Sequence, residues 1–195
     1  MTIFQNPPTL ENQRVLLKPL AEEDFNGLCE AGADLALWKY SLTPIHSKED
    51  ILYYLHAALV ERNQERSLPF TIFDKAVGKI AGSTRFGNFS WENKRVEIGW
   101  TWIGQEFQKT GLNRACKFEL FSYAFETLEL CRVELKADAL NLNSQEAMRK
   151  IGATEEGTFR KHLKTGTGRM RDSVYFSILD TEWPEIKQTR FKEFV

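Results

Sequence analysis

Apolar and polar positions change period along this chain, and each change marks an element. Arg14 to Leu20 is a short extended run. It is followed over Glu22 to Ala31 by early acids and apolar residues at helical spacing, which predicts a strand and then a helix. Ser47-Lys48-Glu49-Asp50 has the form of a capped helix start. Ile51, Leu52, Leu55, Ala58 and Leu59 then recur near the 3.6-residue period, predicting a longer second helix. From Leu68 the texture becomes that of strands: Phe70 to Phe73, Ile80 to Phe86 and Arg95 to Ile103, with turn residues between, predict three successive antiparallel strands. Leu112 to about Leu128 carries a single apolar stripe (Leu112, Ala115, Cys116, Leu120, Tyr123, Ala124, Leu128) and predicts a helix packed on the sheet.

Arg132 to Ala137 alternates with period two, and Asn143 to Ile151 predicts a short helix closed by Gly152. Thr158 to Leu163 and Arg171 to Leu179, joined through Gly166 and Gly168, predict a closing hairpin. The expected fold is therefore α/β (α+β): a mixed, mostly antiparallel sheet of about seven strands with helices on both faces. With 195 residues and no repeat or linker, one domain over 1–195 is expected, with its core at about 14–179.

Composition narrows the function classes. Lys+Arg 26 against Asp+Glu 27 gives a formal charge of −1, so no global field recruits nucleic acid or anionic lipid. No stretch approaches the roughly 20 apolar residues of a membrane span, and residues 1–8 lack the basic flank of a leader. Three scattered cysteines, Cys29, Cys116 and Cys131, fit reduced core thiols, and a cytoplasmic location is expected. The three histidines have no ligand spacing, so no metal is expected.

The candidate chemistry lies where the strand Arg95 to Ile103 runs into Gln108-Lys109-Thr110-Gly111-Leu112-Asn113 and a helix begins. Unpaired N–H groups at a glycine-fronted helix start attract phosphate. Lys109 and Arg114 sit where their charge could meet a pyrophosphate, and an ordinary strand-to-helix turn with solvated bases explains the same residues.

The order Glu97-Ile98-Gly99-Trp100, Trp102-Ile103, Gln108-x-x-Gly111-x-Asn113 resembles the acetyl-CoA motif of the GNAT superfamily. That signature is Gln or Arg, two residues, Gly, one residue, then Gly or Ala; Asn113 stands at its last place. Asn141-x-x-Ser144 followed by Met148 to Ala153 is similar to a block of the ribosomal-protein N-acetyltransferase (Rim) branch, as is the opening Leu16 to Asp24. The resemblance covers about Arg14 to Leu179.

It implies a GNAT-like fold and an acetyl-CoA-dependent N-acetyltransferase. The strand would splay near Trp102 and Ile103, where backbone groups bind pantetheine and one N–H polarises the thioester carbonyl. The loop Gln108, Lys109, Thr110, Gly111, Leu112, Asn113 and Arg114 would hold the pyrophosphate. Glu97 is the candidate general base and Ser144 the acid for the departing thiolate, with Asn141 holding pantetheine or a water. The acceptor is an amine, at a protein N-terminus or in a small molecule, and the protein a monomer or homodimer. A CoA-binding module without catalysis is the alternative from another class.

Competing structural roles stand beside each residue. Strand alternation places Glu97, Gly99 and Thr101 opposite Val96, Ile98 and Trp100, so Trp100 is expected in the core and Glu97 in the cleft or in an ion pair with Arg85 or Arg95. Asn143 with Glu146 would make a capping box, leaving Ser144 in a helix first turn. His162 is expected either exposed at a strand end or lining the acceptor cleft. Trp38-Lys39-Tyr40 is read as packing or as part of the acceptor wall. Glu22, Glu23, Asp24, Glu49 and Asp50 suit a cationic acceptor and equally suit helix starts.

Overall fold

The computed structural model describes residues 2–43 and 45–195. One eight-stranded sheet organises it, in the order β1-β2-β3-β4-β5-β6-β8-β7. The strands are β1 Leu10–Glu11, β2 Val15–Pro19, β3 Ser67–Asp74, β4 Lys79–Ser90, β5 Arg95–Ile103, β6 Arg132–Asp138, β7 Thr154–Lys164 and β8 Met170–Leu179. All neighbours are antiparallel except β5 and β6. The strand beyond the expected seven is β1, a two-residue pairing with Leu16 and Leu17 that is too short to carry an alternation signal.

The helices are α1 Phe25–Ala31, α2 Lys48–Asn63, α3 Leu112–Ser122, α4 Leu142–Lys150 and α5 Trp183–Arg190. Ser47 and Asp50 cap α2 reciprocally, as the sequence predicts. The early acids before α1 form a separate 3-10 turn, Glu22–Asp24. After Ser122, α3 widens into a π turn, Tyr123–Thr127, in which the Leu128 N–H reaches the Tyr123 carbonyl at 2.9 Å. Gly152 takes φ +90 after α4, the left-handed position its place predicts.

Helices cover both faces of the β2–β5 half. Ser83 and Arg85 of β4 turn toward α2, the Ser83 hydroxyl meeting Tyr54 and Arg85 meeting Glu61. Thr84 and Phe86 turn the other way: Thr84 meets Thr101, which is bonded to Lys117 of α3, and the Phe86 ring meets Tyr123. The main core therefore lies between α3 and the face carrying Phe70, Phe86, Val96 and Ile98, all buried.

Two findings depart from the sequence reading. The chain does not end its ordered structure on the hairpin: α5 returns to α3, where Trp183 and Phe191 pack with Phe118, Phe121 and Phe125. Its segment holds few apolar residues, so no period shows; the helix is anchored by tertiary aromatic contact. Cys29 and Cys116 are buried free thiols, whereas Cys131 is exposed on the turn into β6. Burial pushes the Cys116 thiol up to about 12, which makes it inert as a nucleophile.

Candidate active site

Parallel pairing between β5 and β6 lasts three residues: Arg95 with Arg132, Val96 with Val133 and Glu97 with Glu134. Among the described residues, β5 continues beyond Glu97 to Ile103 paired only with β4, and β6 continues to Asp138 paired only with β8. The two strands thus part at Glu97, and β5 is left with backbone groups that have no strand partner on the β6 side. Helix α3 follows β5 and α4 follows β6, so both helices begin at the open end.

A bulge shapes β5 just past that point. Its register against β4 jumps from Arg85–Gly99 to Ser83–Trp102, which inserts one extra residue, and Trp100 takes φ +50. One inserted residue exchanges the faces that follow it. This corrects the expected alternation. Trp100 leaves the core side and is 36% exposed on the Glu97 side, its ring lying against Gly87, where a Cβ would come within 2.5 Å of it. Thr101 turns inward instead, to Thr84 at 2.7 Å and the Lys117 amine at 3.0 Å. A bulky residue at positive φ is uncommon and clusters at functional sites.

Glu97 is 5% exposed at the fork. Its ion-pair partner is neither of the arginines expected. Lys136 Nζ lies 2.7 Å from Glu97 Oε2, and Asn88 Nδ2 donates to the same oxygen at 2.6 Å. Arg85 is paired with Glu61 at 2.9 Å and Arg95 with Glu134 at 3.2 Å. Both contacts on Oε2 leave Oε1 toward Gly99, 3.0 Å from where a Cβ would stand. The Lys136 amine also sits 5.3 Å over the Tyr175 ring, which in turn meets Phe159 and His162. His162 is half-buried, so the exposed strand-end alternative does not hold. Its pKa is lowered by burial first and then by the positive charges of Lys136 and Arg171.

At the other side of the fork, Gly111 takes φ +87 with open space around it and fronts α3. Ala115 is bonded to the Gly111 carbonyl at 3.1 Å, while the first-turn N–H groups of Asn113 and Arg114 have no backbone acceptor among the described residues. The Leu112 N–H is 3.4 Å from the Thr110 hydroxyl. Gln108 folds back to donate to the Ile103 carbonyl at 2.9 Å, and Thr110 donates to Phe107 at 2.7 Å. Lys109, at φ +60, is exposed and unpaired among the described residues. Arg114 is not free for an anion: its guanidinium holds Glu193 at 3.0 Å and the Arg190 carbonyl. Trp102 and Ile103 are buried, and the Trp102 ring meets Trp38 at 4.9 Å with the planes tilted by 56°, its indole N–H without a partner among the described residues.

The start of α4 differs from the expected box. Asn141, not Asn143, is its cap, accepting from the Ser144 N–H at 3.1 Å. Ser144 is half-buried in the first turn, and its hydroxyl forms no hydrogen bond among the described residues. The acids near the first two helices are helix-start groups: Asp24 is buried with Lys18 and Thr71, and Asp50 caps α2.

Lys136, Asn88 and Tyr175 were absent from the sequence candidates. Alternation of Glu134, Lys136 and Asp138 along β6 marks Lys136 as sharing one face with Glu97. Their contact rests on cross-strand register that the local pattern does not contain.

Comparison with known proteins agrees with this geometry. The acetyltransferase (GNAT) domain model matches residues 14–154. The chain is similar to "Uncharacterized N-acetyltransferase p20" of Bacillus licheniformis, 28% identical over 179 residues, 90% of this chain and 98% of that protein. It is 39% identical over 106 residues to "Putative ribosomal N-acetyltransferase YdaF" of Bacillus subtilis (strain 168), a match covering 54% of this chain and 57% of that one. A GCN5-related N-acetyltransferase from Brucella melitensis superposes with a TM-score of 0.88 at 27% identity, covering 96% of this chain and 86% of the other. Strands parted beside a glycine-fronted helix and a family match over most of the length converge: the chain belongs to the GNAT acetyltransferases.

Proposed function

We propose that the protein transfers acetyl from acetyl-CoA to the α-amine of a protein N-terminus, by direct attack in a ternary complex. The observation that carries this reading is the parting of β5 from β6 after Glu97, with the open first turn of α3 at its mouth. The residues present fit a nucleotide thioester. Gly111 leaves open space where a side chain would stand, and among the described residues Asn113 and Arg114 offer N–H groups without a backbone acceptor and Lys109 is an unmatched cation beside them. Gln108, Thr110 and Leu112 shape that turn, and Trp102 and Ile103 wall the cleft. Asn141 acts by fixing the start of α4.

Acetyl-CoA supplies the activated acyl group. The unpartnered peptide groups of β5 beyond Glu97 bind along pantetheine, and one N–H polarises the carbonyl; a donor of this kind is worth about 3 to 4 kcal/mol in the transition state. Glu97, its Oε2 held by Lys136 and Asn88, receives the amine proton at Oε1 through a water. The Ser144 hydroxyl gives its proton to the leaving sulfur as it takes one from water, so that the serine ends the step neutral. Cys116 is buried and Cys29 is raised by burial, so neither supports an acyl-enzyme.

With one oxygen of Glu97 already taken by Lys136 and Asn88, an α-amine suits this site better than a lysine. A free α-amine, with a pKa of about 7.7 to 8.0, is roughly a tenth neutral at pH 7, whereas a lysine near 10.4 is neutral in only about one molecule in two thousand. A weak base suffices for the first. The test is mass spectrometry of products from acetyl-CoA with an N-terminally free peptide, an N-blocked lysine peptide and small amines. N-terminal acetylation of the first is expected. Acetylation of the small amines alone would replace the acceptor, and tight acetyl-CoA binding with no turnover on any amine would make the protein a binding module.

A further inference from the structure

Two arginines are buried among the described residues, Arg85 and Arg171, and they differ in what holds them. Arg85, 3% exposed, is paired with Glu61 at 2.9 Å and lies over the rings of Tyr54 and Trp100. Arg171, 7% exposed, has no ion pair among the described residues. Its Nε donates to the Ser173 hydroxyl at 3.0 Å. Its two terminal nitrogens have no hydrogen-bond partner among the described residues, and both reach solvent-accessible space.

Register places Arg171 on the face that carries Glu97. Glu97 stands opposite Glu134, and β6 pairs with β8 without a shift, Lys136 opposite Tyr175 and Asp138 opposite Ser173. Opposed residues share a face, as do alternate residues along one strand, so Glu97, Lys136, Tyr175, Ser173 and Arg171 all look the same way. The Lys136 amine over the Tyr175 ring and the Arg171 bond to Ser173 agree with that placement. Helix α3 meets the other face, through Thr101 and Phe86, so Arg171 is apart from the nucleotide turn. It stands opposite Leu163, just before the hairpin turn whose Gly166 N–H donates to the Ser41 carbonyl at 3.1 Å. Four residues separate it from Tyr175 along β8, about 13 Å at 3.3 Å per residue.

No neighbouring acid is left to neutralise it. Asp138 holds Arg169 with one oxygen and the Leu140 N–H, at 3.0 Å, with the other, and Glu97 is taken by Lys136 and Asn88. Burial draws the Arg171 pKa down, and the more distant charges of Asp138 and Glu97 offset only part of that. A buried guanidinium without a counter-ion is costly, and two free nitrogens on one planar fork match a carboxylate. An extended acceptor whose amine is at Glu97 advances about 3.3 to 3.6 Å per residue, which carries its next residues along the floor toward Arg171.

We propose that Arg171 is a specificity-determining residue that takes a carboxylate of the acceptor, so that the groove selects chains carrying Asp or Glu at the second or third residue. The inference rests on the reading that the acceptor is a protein N-terminus.

The test is kcat/KM for peptides that share one N-terminal residue and carry Asp or Asn at position 2 or 3, with free amino acids and their amides as a second arm. With the native protein, an Asp peptide is expected to exceed its Asn counterpart by about tenfold or more, the difference made by hydrogen bonds to a charged group. Arg171→Gln is expected to abolish that difference, and Arg171→Lys, which keeps the charge without the fork, to reduce it. The ratio of Asp to Asn is taken within each protein, so a partial loss of folded enzyme cancels. Equal values for Asp and Asn at both positions in the native protein, or a preference undiminished in either variant, overturns the inference while leaving N-terminal acetylation intact. Turnover of free amino acids with none of the peptides removes the acceptor reading instead; a loss on amidation would then keep Arg171 as the carboxylate site, and indifference to amidation would overturn that as well.

Discussion

Lys117 offers a prediction whose sign is unusual for a buried residue. Its amine lies inside the interface between α3 and β5, 5% exposed, bonded to the Thr101 hydroxyl at 3.0 Å and to no carboxylate among the described residues. Burial pushes its pKa down from 10.5 to about 8. Below pH 8 the lysine is charged in both the folded and unfolded chain, and the folded state carries the full penalty of burying that charge. Between about 8 and 10.5 the unfolded chain holds more protons than the folded one, so stability rises with pH across that window. A midpoint displaced from 10.5 to about 8 corresponds to about 3 kcal/mol. Lys117→Met removes that penalty, keeps the side-chain length and loses one hydrogen bond worth about 1 kcal/mol, while Thr101 keeps Thr84. The variant is therefore expected to be about 2 kcal/mol more stable at pH 7, with a midpoint of thermal unfolding higher by roughly 4 to 8 °C. The gain should vanish, and reverse by about 1 kcal/mol, by about pH 10.5. Urea unfolding of both proteins at pH 7, 8.5 and 10 measures the difference directly. A variant less stable than the native protein at pH 7, or a difference that does not change with pH, refutes the reasoning.

Three further outcomes concern the reaction. Glu97→Gln keeps the Asn88 and Lys136 geometry close to native but removes the proton acceptor, so kcat should fall about 10²-fold or more with acetyl-CoA affinity retained by calorimetry; unchanged kcat removes Glu97 from the chemistry. Ser144→Ala leaves the Asn141 cap intact, because the cap is made by the Ser144 N–H, so stability should stay within about 0.5 kcal/mol while turnover drops; a loss confined to stability returns Ser144 to a purely helical role. Gly111→Ala meets no atom within 4 Å but forces alanine to φ +87, which should cost about 1 kcal/mol of stability and weaken acetyl-CoA binding, read by chemical denaturation and calorimetry; wild-type affinity would show that the turn does not hold the nucleotide.

Much of this molecule was legible along the chain because its signals are local. The capping box at Ser47 and Asp50, the apolar stripe of α3, the alternation of β6 and the glycines at 111 and 152 each act within one turn or one strand, and each is found where the pattern places it. Motif order alone pointed to the family. The rest was decided between segments distant in sequence. A single inserted residue at the β5 bulge turned Trp100 out of the core and Thr101 into it, a reversal that alternation cannot anticipate because the bulge exists only against β4. The partners of Glu97 come from β4 and β6, and those of Arg114 from the C-terminal tail. Periodicity reports which face a residue occupies, whereas the group opposite it depends on register and on the parting of two strands, which only the assembled sheet determines.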